Sequence, residues 1–250
     1  MSPEQTIEKM KAMKLSPMVE AYEQQLANPS RFADIGFDDR LAMLVDYESD
    51  VRRTKKIERL INGSNMYFKA ACPEQINYAP NRGLDKSQMA RILNCSFVDK
   101  NQNVILQGAS ASGKSWLSCA IGVAACRVGY RVKYYRMRNL IDELLVCRAA
   151  VDGSYQKMIA QLKKTPLVII DDFLLHEVSA EDMGEMLELV DARLLTGSTI
   201  LCSQYKHDGW IKIMGRSAIS EAFMSRIKSS SHVIDIKTCN DMRIENSELL

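Results

Sequence analysis

Gly108-Ala109-Ser110-Ala111-Ser112-Gly113-Lys114-Ser115 matches G-x-x-x-x-G-K-[ST] at every fixed position. Just upstream, Val104-Ile105-Leu106 is an apolar run of the length of a buried strand. Downstream, Trp116 to Val128 is rich in Leu, Ala, Ile, Val and Cys and predicts a helix. Strand, loop and helix in that order let backbone N–H groups and the positive helix end hold the phosphates of a nucleoside triphosphate without covalent chemistry. Gly108, Ala109, Ser110, Ala111, Ser112 and Gly113 then form the cradle, with Trp116 beside it at the helix start. Lys114 reaches the β and γ phosphates, and the Ser115 hydroxyl completes the shell of a Mg²⁺ ion that takes few protein oxygens.

A second apolar run, Leu167-Val168-Ile169-Ile170, ends in Asp171-Asp172. In an open α/β sheet, ligands bind at the carboxyl ends of the strands, so this pair stands where a metal ion and an attacking water belong. Asp171 is the expected metal residue, direct or through water, and Asp172 the residue that orients the water. Downstream, Ser179-Ala180-Glu181-Asp182 predicts a Ser-capped helix with an acidic first turn, buried through Met183, Met186, Leu187 and Val190 and ending at Gly197. The strand Thr199 to Cys202 then runs into Ser203-Gln204, so Gln204 emerges at a strand end where it can read the γ-phosphate or hold the water. Arg226 is a lone cation in the apolar segment Ala222 to Ile227, equally readable as a surface charge.

Further strands are expected at Val132 to Tyr135 and His232 to Ile236, with helical stretches separating most of the strands. The predicted class is therefore α/β, a parallel sheet flanked by helices, over residues 84–250. Residues 1–70 read differently. Ile7, Met10 and Met13, then Met18, Val19, Tyr22 and Leu26, then Leu41, Leu44 and Val45 repeat at helical spacing, predicting a small all-helical amino-terminal domain. Between the two, 71–83 carries Pro73, Pro80, Asn81 and Gly83 and reads as a linker or an extended segment lying against the next domain.

Late in the third helix, Arg52, Lys55, Lys56 and Arg59 fall on one face, with Arg53 adjacent; four cations on one face suit phosphates, and equally describe a solvated helix end favoured by the dipole. Net charge is only +2, so nucleic-acid binding has to come from such a local patch. Seven cysteines without a C-x-x-C pair, and three scattered histidines, form neither a zinc pattern nor a disulfide framework. No apolar stretch is long enough to span a bilayer, and the charged amino terminus does not resemble a secretory signal. A cytoplasmic protein is expected.

With these motifs in place, nearly the whole chain resembles the IstB-like helper ATPases of insertion sequences, AAA+ proteins close to the DnaC-type helicase loaders. The resemblance rests on G-A-S-A-S-G-K-S as Walker A, V-I-I-D-D-F as Walker B, T-I-L-C-S-Q-Y followed by Trp210 as the sensor 1 region, A-F-M-S-R-I as the arginine-finger region, and D-M-R near the end. It implies a sensor 1 role for Gln204, a finger role for Arg226 in the neighbouring subunit's site, and nucleotide sensing by Arg243. It also implies ATP as ligand with Mg²⁺, self-association into an ATP-dependent oligomer, DNA-stimulated hydrolysis, largely sequence-independent assembly on duplex DNA, and recruitment of a transposase. A helicase loader would share nearly every motif, and a P-loop small-molecule kinase would share Walker A. Two departures stand out. Ala109 and Ala111 replace the Pro and middle Gly common in the family, and Asp172 is one methylene shorter than the usual Glu, which predicts slow hydrolysis.

Overall fold

The computed structural model describes residues 2–237, so Arg243 lies outside the described residues. The chain divides into two compact units, Met1–Arg59 and Leu60–Leu250.

The first unit opens with α1 (Pro3–Ala12), whose amino end is closed by a capping box. The Ser2 hydroxyl accepts from the Gln5 N–H, and the Gln5 side chain accepts from the Ser2 N–H. α2 (Ser16–Ala27) and α3 (Phe37–Asn62) follow. They are tied by polar bonds: Glu48 accepts from the Met18 N–H at 2.9 Å, and the Gln25 side chain donates to the Arg40 carbonyl at 3.1 Å. Of the apolar residues expected to form the α3 face, Leu44 is buried, whereas Leu41 and Val45 are exposed. α3 buries only Leu44 and Glu48, one turn apart, and helical periodicity alone cannot say how wide the covered face is.

In the second unit the elements run α4 (Lys86–Leu93), α5 (Ser96–Asp99), β1 (Asn103–Gln107), α6 (Lys114–Val128), β2 (Val132–Arg136), α7 (Met137–Ala150) and α8 (Ser154–Lys163). Then come β3 (Leu167–Phe173), α9 (Ala180–Arg193), β4 (Ser198–Ser203), α10 (Trp210–Met214), α11 (Ala218–Lys228) and β5 (Ser231–Asp235). The sheet order is β2-β3-β4-β1-β5 with every pairing parallel, as expected for the α/β class. Its central strands are apolar on both faces because helices cover both. Val104 and Leu106 of β1, Ile169 of β3 and Ile200 of β4 face one core with α6. Ile105, Val168, Ile170 and Leu201 face the other with α7, α9 and α11.

Two boundaries differ from the sequence-based expectation. The second unit starts at Leu60, where Leu60 and Ile61 already pack against its core, and in the 71–83 segment Ala71 and Ile76 are buried in that core. Two Pro-initiated 3₁₀ turns, Pro73–Gln75 and Pro80–Arg82, account for its irregular composition. α9 has the expected Ser179 cap, completed by Asp182, but stops at Arg193 instead of Gly197. The buried Arg193 guanidinium donates to the carbonyls of Leu162, Thr165 and Ser198 and to the Thr199 hydroxyl, and Leu195 takes a positive φ of 62° in the turn that follows. A side chain that satisfies three carbonyls closes this corner, which no local signal announces. No helix among the described residues is long and apolar enough to cross a membrane.

Candidate functional site

β1, β3 and β4 are neighbours in the sheet, so their carboxyl ends deliver the loop after Gln107, the Asp171-Asp172 pair and Gln204 to one edge. The loop leaves β1 through Gly108 (φ 155°), turns at Ala111 (φ 57°) and Gly113 (φ 85°), and enters α6 at Lys114. The Lys114 ammonium donates to the carbonyls of Gly108 at 2.8 Å and Ala109 at 2.7 Å. From outside, Arg82 braces the loop by donating to the Ser112 carbonyl at 3.0 Å.

The carboxylate pair sits on an irregularity. Ile170 registers with Leu201 and Phe173 with Ser203, so Asp171 and Asp172 together oppose Cys202, and Asp172 adopts φ 54°. Such a bulge re-aims side chains next to a site, and a positive φ at a non-glycine is a strained conformation that the surroundings must hold. Asp171 is almost fully buried. One carboxylate oxygen accepts from the Tyr134 hydroxyl at 2.6 Å and the other from the Asp172 N–H at 2.9 Å. Tyr134 registers with Ile169, and a tyrosine spans about two strand residues, which carries its hydroxyl to Asp171. Burial and the Asp171 charge push the Tyr134 phenol far up, so it remains a donor. Asp172 is half-exposed. Burial and then the Asp171 charge raise its pKa, while Arg136, Lys114 and His176 oppose that rise. The Arg136 guanidinium lies 3.6 Å from Asp172 and 5.4 Å from the centre of the Tyr67 ring.

These groups line one cleft of about 1190 Å³. Of the residues expected from sequence, Ser110, Ala111, Gly113, Lys114, Ser115, Trp116, Asp171, Asp172 and Gln204 line it. Gly108 and Ala109 instead supply carbonyls to Lys114, and Ser112 is buried behind the loop. Sequence reasoning misses Tyr67, Tyr134, Arg136 and Arg82. Arg136 has a signal, since it is the residue at the carboxyl end of a strand that the sequence does reveal. Tyr67 and Arg82 lie in turns whose course only the packed chain defines.

A buried carboxylate and a hydroxyl at a helix start are hard oxygen donors, the set Mg²⁺ takes when phosphates and water supply its other ligands. Among the described residues, no group of three His, Cys, Asp or Glu could hold a metal by side chains alone.

Arg226 is not among the cleft residues. It lies in the last turn of α11, which leads to Ser231 at the start of β5, and Ser231 registers with Asn103, the first residue of β1. The loop leaves the other end of β1, so Arg226 and the cleft of the same chain lie about a strand length apart, roughly 15 Å. On α3, Arg53, Lys55, Lys56 and Arg59 are exposed, while Arg52 pairs with Glu48 and donates to the Lys14 carbonyl at 2.8 Å.

The family model described as IstB-like ATP binding protein matches residues 8–249. The chain belongs to this family. It is 32% identical over 204 residues to the ATP-binding protein of insertion sequence IS1162 from Pseudomonas fluorescens, covering 82% of this chain and 87% of that one. It is 29% identical over 231 residues to the insertion sequence ATP-binding protein y4pL of Sinorhizobium fredii, covering 92% and 93%. Among solved structures, the DnaC helicase loader aligns with a TM-score of 0.53 at 17% identity, over 67% of this chain and 97% of that chain. That likeness is one of fold, the AAA+ P-loop arrangement of a parallel sheet between helical layers.

Proposed function

We propose that this IstB-family chain is an Mg²⁺-dependent ATPase that assembles on duplex DNA and brings a transposase to it during movement of an insertion sequence. The observation that carries the proposal is the convergence of Lys114, Ser115, Asp171, Asp172 and Gln204 on one cleft at the carboxyl edge of the sheet. In phosphoryl transfer the protein mainly positions groups and stabilises charge. The loop N–H groups and Lys114 hold the triphosphate of ATP. Ser115 and Asp171 would hold Mg²⁺, which supplies charge neutralisation across the β and γ phosphates. Asp172 accepts a hydrogen bond from the attacking water and draws off its proton, while Gln204 orients the water and the γ-phosphate. Arg226, a strand length from its own cleft, serves the cleft of a neighbouring copy in an ATP-dependent oligomer. Arg52, Arg53, Lys55, Lys56 and Arg59 contact DNA phosphates, largely irrespective of sequence, and Arg52 contributes least because Glu48 already neutralises it.

Phosphate release from ATP, measured with and without duplex DNA and with Asp172→Asn in parallel, tests the enzymatic part. Turnover stimulated by DNA and abolished in Asp172→Asn is expected, with ATP binding retained. Undiminished turnover in Asp172→Asn would move the base role elsewhere. Capture of a transposase against capture of a replicative helicase by the tagged chain decides the partner, and helicase capture alone overturns the assignment to transposition.

A further inference from the structure

The Arg226 side chain is not loose on the surface. Its Nε donates to the carboxylate of Asp191 in the last turn of α9, and its Nη1 donates to the Ala222 carbonyl at 3.0 Å. The two helices pack side by side, and both side chains are between a third and a half exposed. A guanidinium has five N–H groups arranged as a planar fork. These contacts engage the Nε hydrogen and one Nη1 hydrogen, two of the five N–H groups of the fork. A long side chain held at two points retains little of the rotamer freedom that an exposed arginine otherwise has to lose when it meets a phosphate.

From this geometry we infer that Asp191 is a positioning residue for Arg226: it holds the guanidinium in the orientation in which its outer N–H groups meet the γ-phosphoryl oxygens bound to a second copy of this chain. The inference rests on the finger role given to Arg226 above. Asp191 touches neither nucleotide nor water and acts only through the arginine. It differs from a stabilising ion pair in what it predicts, because an exposed pair contributes little to folding, whereas misplacing a catalytic group by about 1 Å costs on the order of a hundredfold in rate.

The experiment uses the full-length chain with duplex DNA and compares Asp191→Ala, Asp191→Asn and Arg226→Ala. It reads kcat and KM for ATP hydrolysis, equilibrium ATP affinity and thermal unfolding. Arg226→Ala is expected to lose about a thousandfold in kcat. Asp191→Ala is expected to lose about ten- to a hundredfold in kcat, with ATP affinity and unfolding temperature as in the parent. Asp191→Asn should recover most of the rate, since its amide oxygen still accepts from Nε. Mixing Asp191→Ala with Lys114→Ala subunits should restore activity, because the latter bring a correctly held Arg226 to the sound nucleotide sites of the former. If Arg226→Ala is inactive and Asp191→Ala keeps the parental kcat, the positioning role is overturned and the finger stands. If Arg226→Ala itself keeps the parental kcat, the finger reading fails and takes this inference with it. A loss in Asp191→Ala that neither the Asn variant nor the mixture relieves also overturns the role.

Discussion

Replacing Gly108 by alanine probes how tightly the phosphate loop is built into the sheet. Gly108 has φ 155°, and a Cβ there would lie far inside van der Waals distance of the Ile236 carbonyl oxygen and 3.2 Å from the Ser112 hydroxyl oxygen. Ile236 cannot yield easily, because its N–H donates to the Gln107 carbonyl at 2.8 Å just beyond the β1–β5 pairing. The unfavourable backbone conformation costs about 1–3 kcal/mol, and relief of the clash between main chains another 1–3 kcal/mol or so. Reduced freedom of the unfolded chain returns roughly 0.4–1 kcal/mol, leaving a net loss of about 1–5 kcal/mol. For a unit of this size that lowers the unfolding temperature by roughly 2–20 °C. The loop must also shift away from Ile236, and misaligning one charged hydrogen bond to phosphate, about 1.5 kcal/mol, weakens ATP binding about tenfold. Thermal unfolding and equilibrium titration with labelled ATP measure both effects. Gly153→Ala is the control: φ is 82° but nothing stands within 4 Å of the added Cβ, so only the backbone cost remains. If Gly108→Ala unfolds no lower than Gly153→Ala and binds ATP like the parent, the close approach of Ile236 does not constrain the loop.

Gly184 lies inside α9 with nothing within 4 Å of an added Cβ, so Gly184→Ala should stabilise the protein by about 0.5–1 kcal/mol; an unchanged or lower urea midpoint would contradict this. Tyr134→Phe leaves a buried oxygen of Asp171 without its donor and should cost about 1–3 kcal/mol in urea unfolding, whereas a neutral result would mean that water replaces the hydroxyl. Burial pushes the thiols of Cys95 and Cys119 up to about 11 and that of Cys126 to about 12. Since the thiolate is the reactive form, a maleimide at pH 7.5 should spare them in the folded protein and, among the described cysteines, label the half-buried Cys72 and Cys147 first, as peptide mass mapping will read. The sign of the linkage follows from the same shift. These thiols keep their protons to a higher pH folded than unfolded, so their contribution is complete below the ordinary thiol pKa and is lost as pH rises toward about 11–12.

Much of the site is legible in the amino-acid sequence alone. Gly108 to Ser115 need only the order strand, loop, helix, because phosphate binding there uses backbone N–H groups and a helix end, both of which are local. Asp171 and Asp172 stand out because an apolar run of strand length announces a buried parallel strand and so places whatever follows it at the ligand-binding edge. The same logic reaches Gln204 and stops one residue short of Arg136. Tertiary structure decides what depends on contacts distant in sequence. Tyr134 reaches Asp171 only because β2 and β3 pair in one register, and the bulge that turns Asp172 appears only against β4. Arg226 reads locally as either a surface charge or a functional group; its distance from its own loop and its bond to Asp191 follow from the pairing of β5 with β1 and the packing of α11 on α9. Local pattern carries the period of an element and the chemistry at its end. Which ends meet, and which cations are already held by a carboxylate, is set by strand order and helix packing, and no window of sequence contains those.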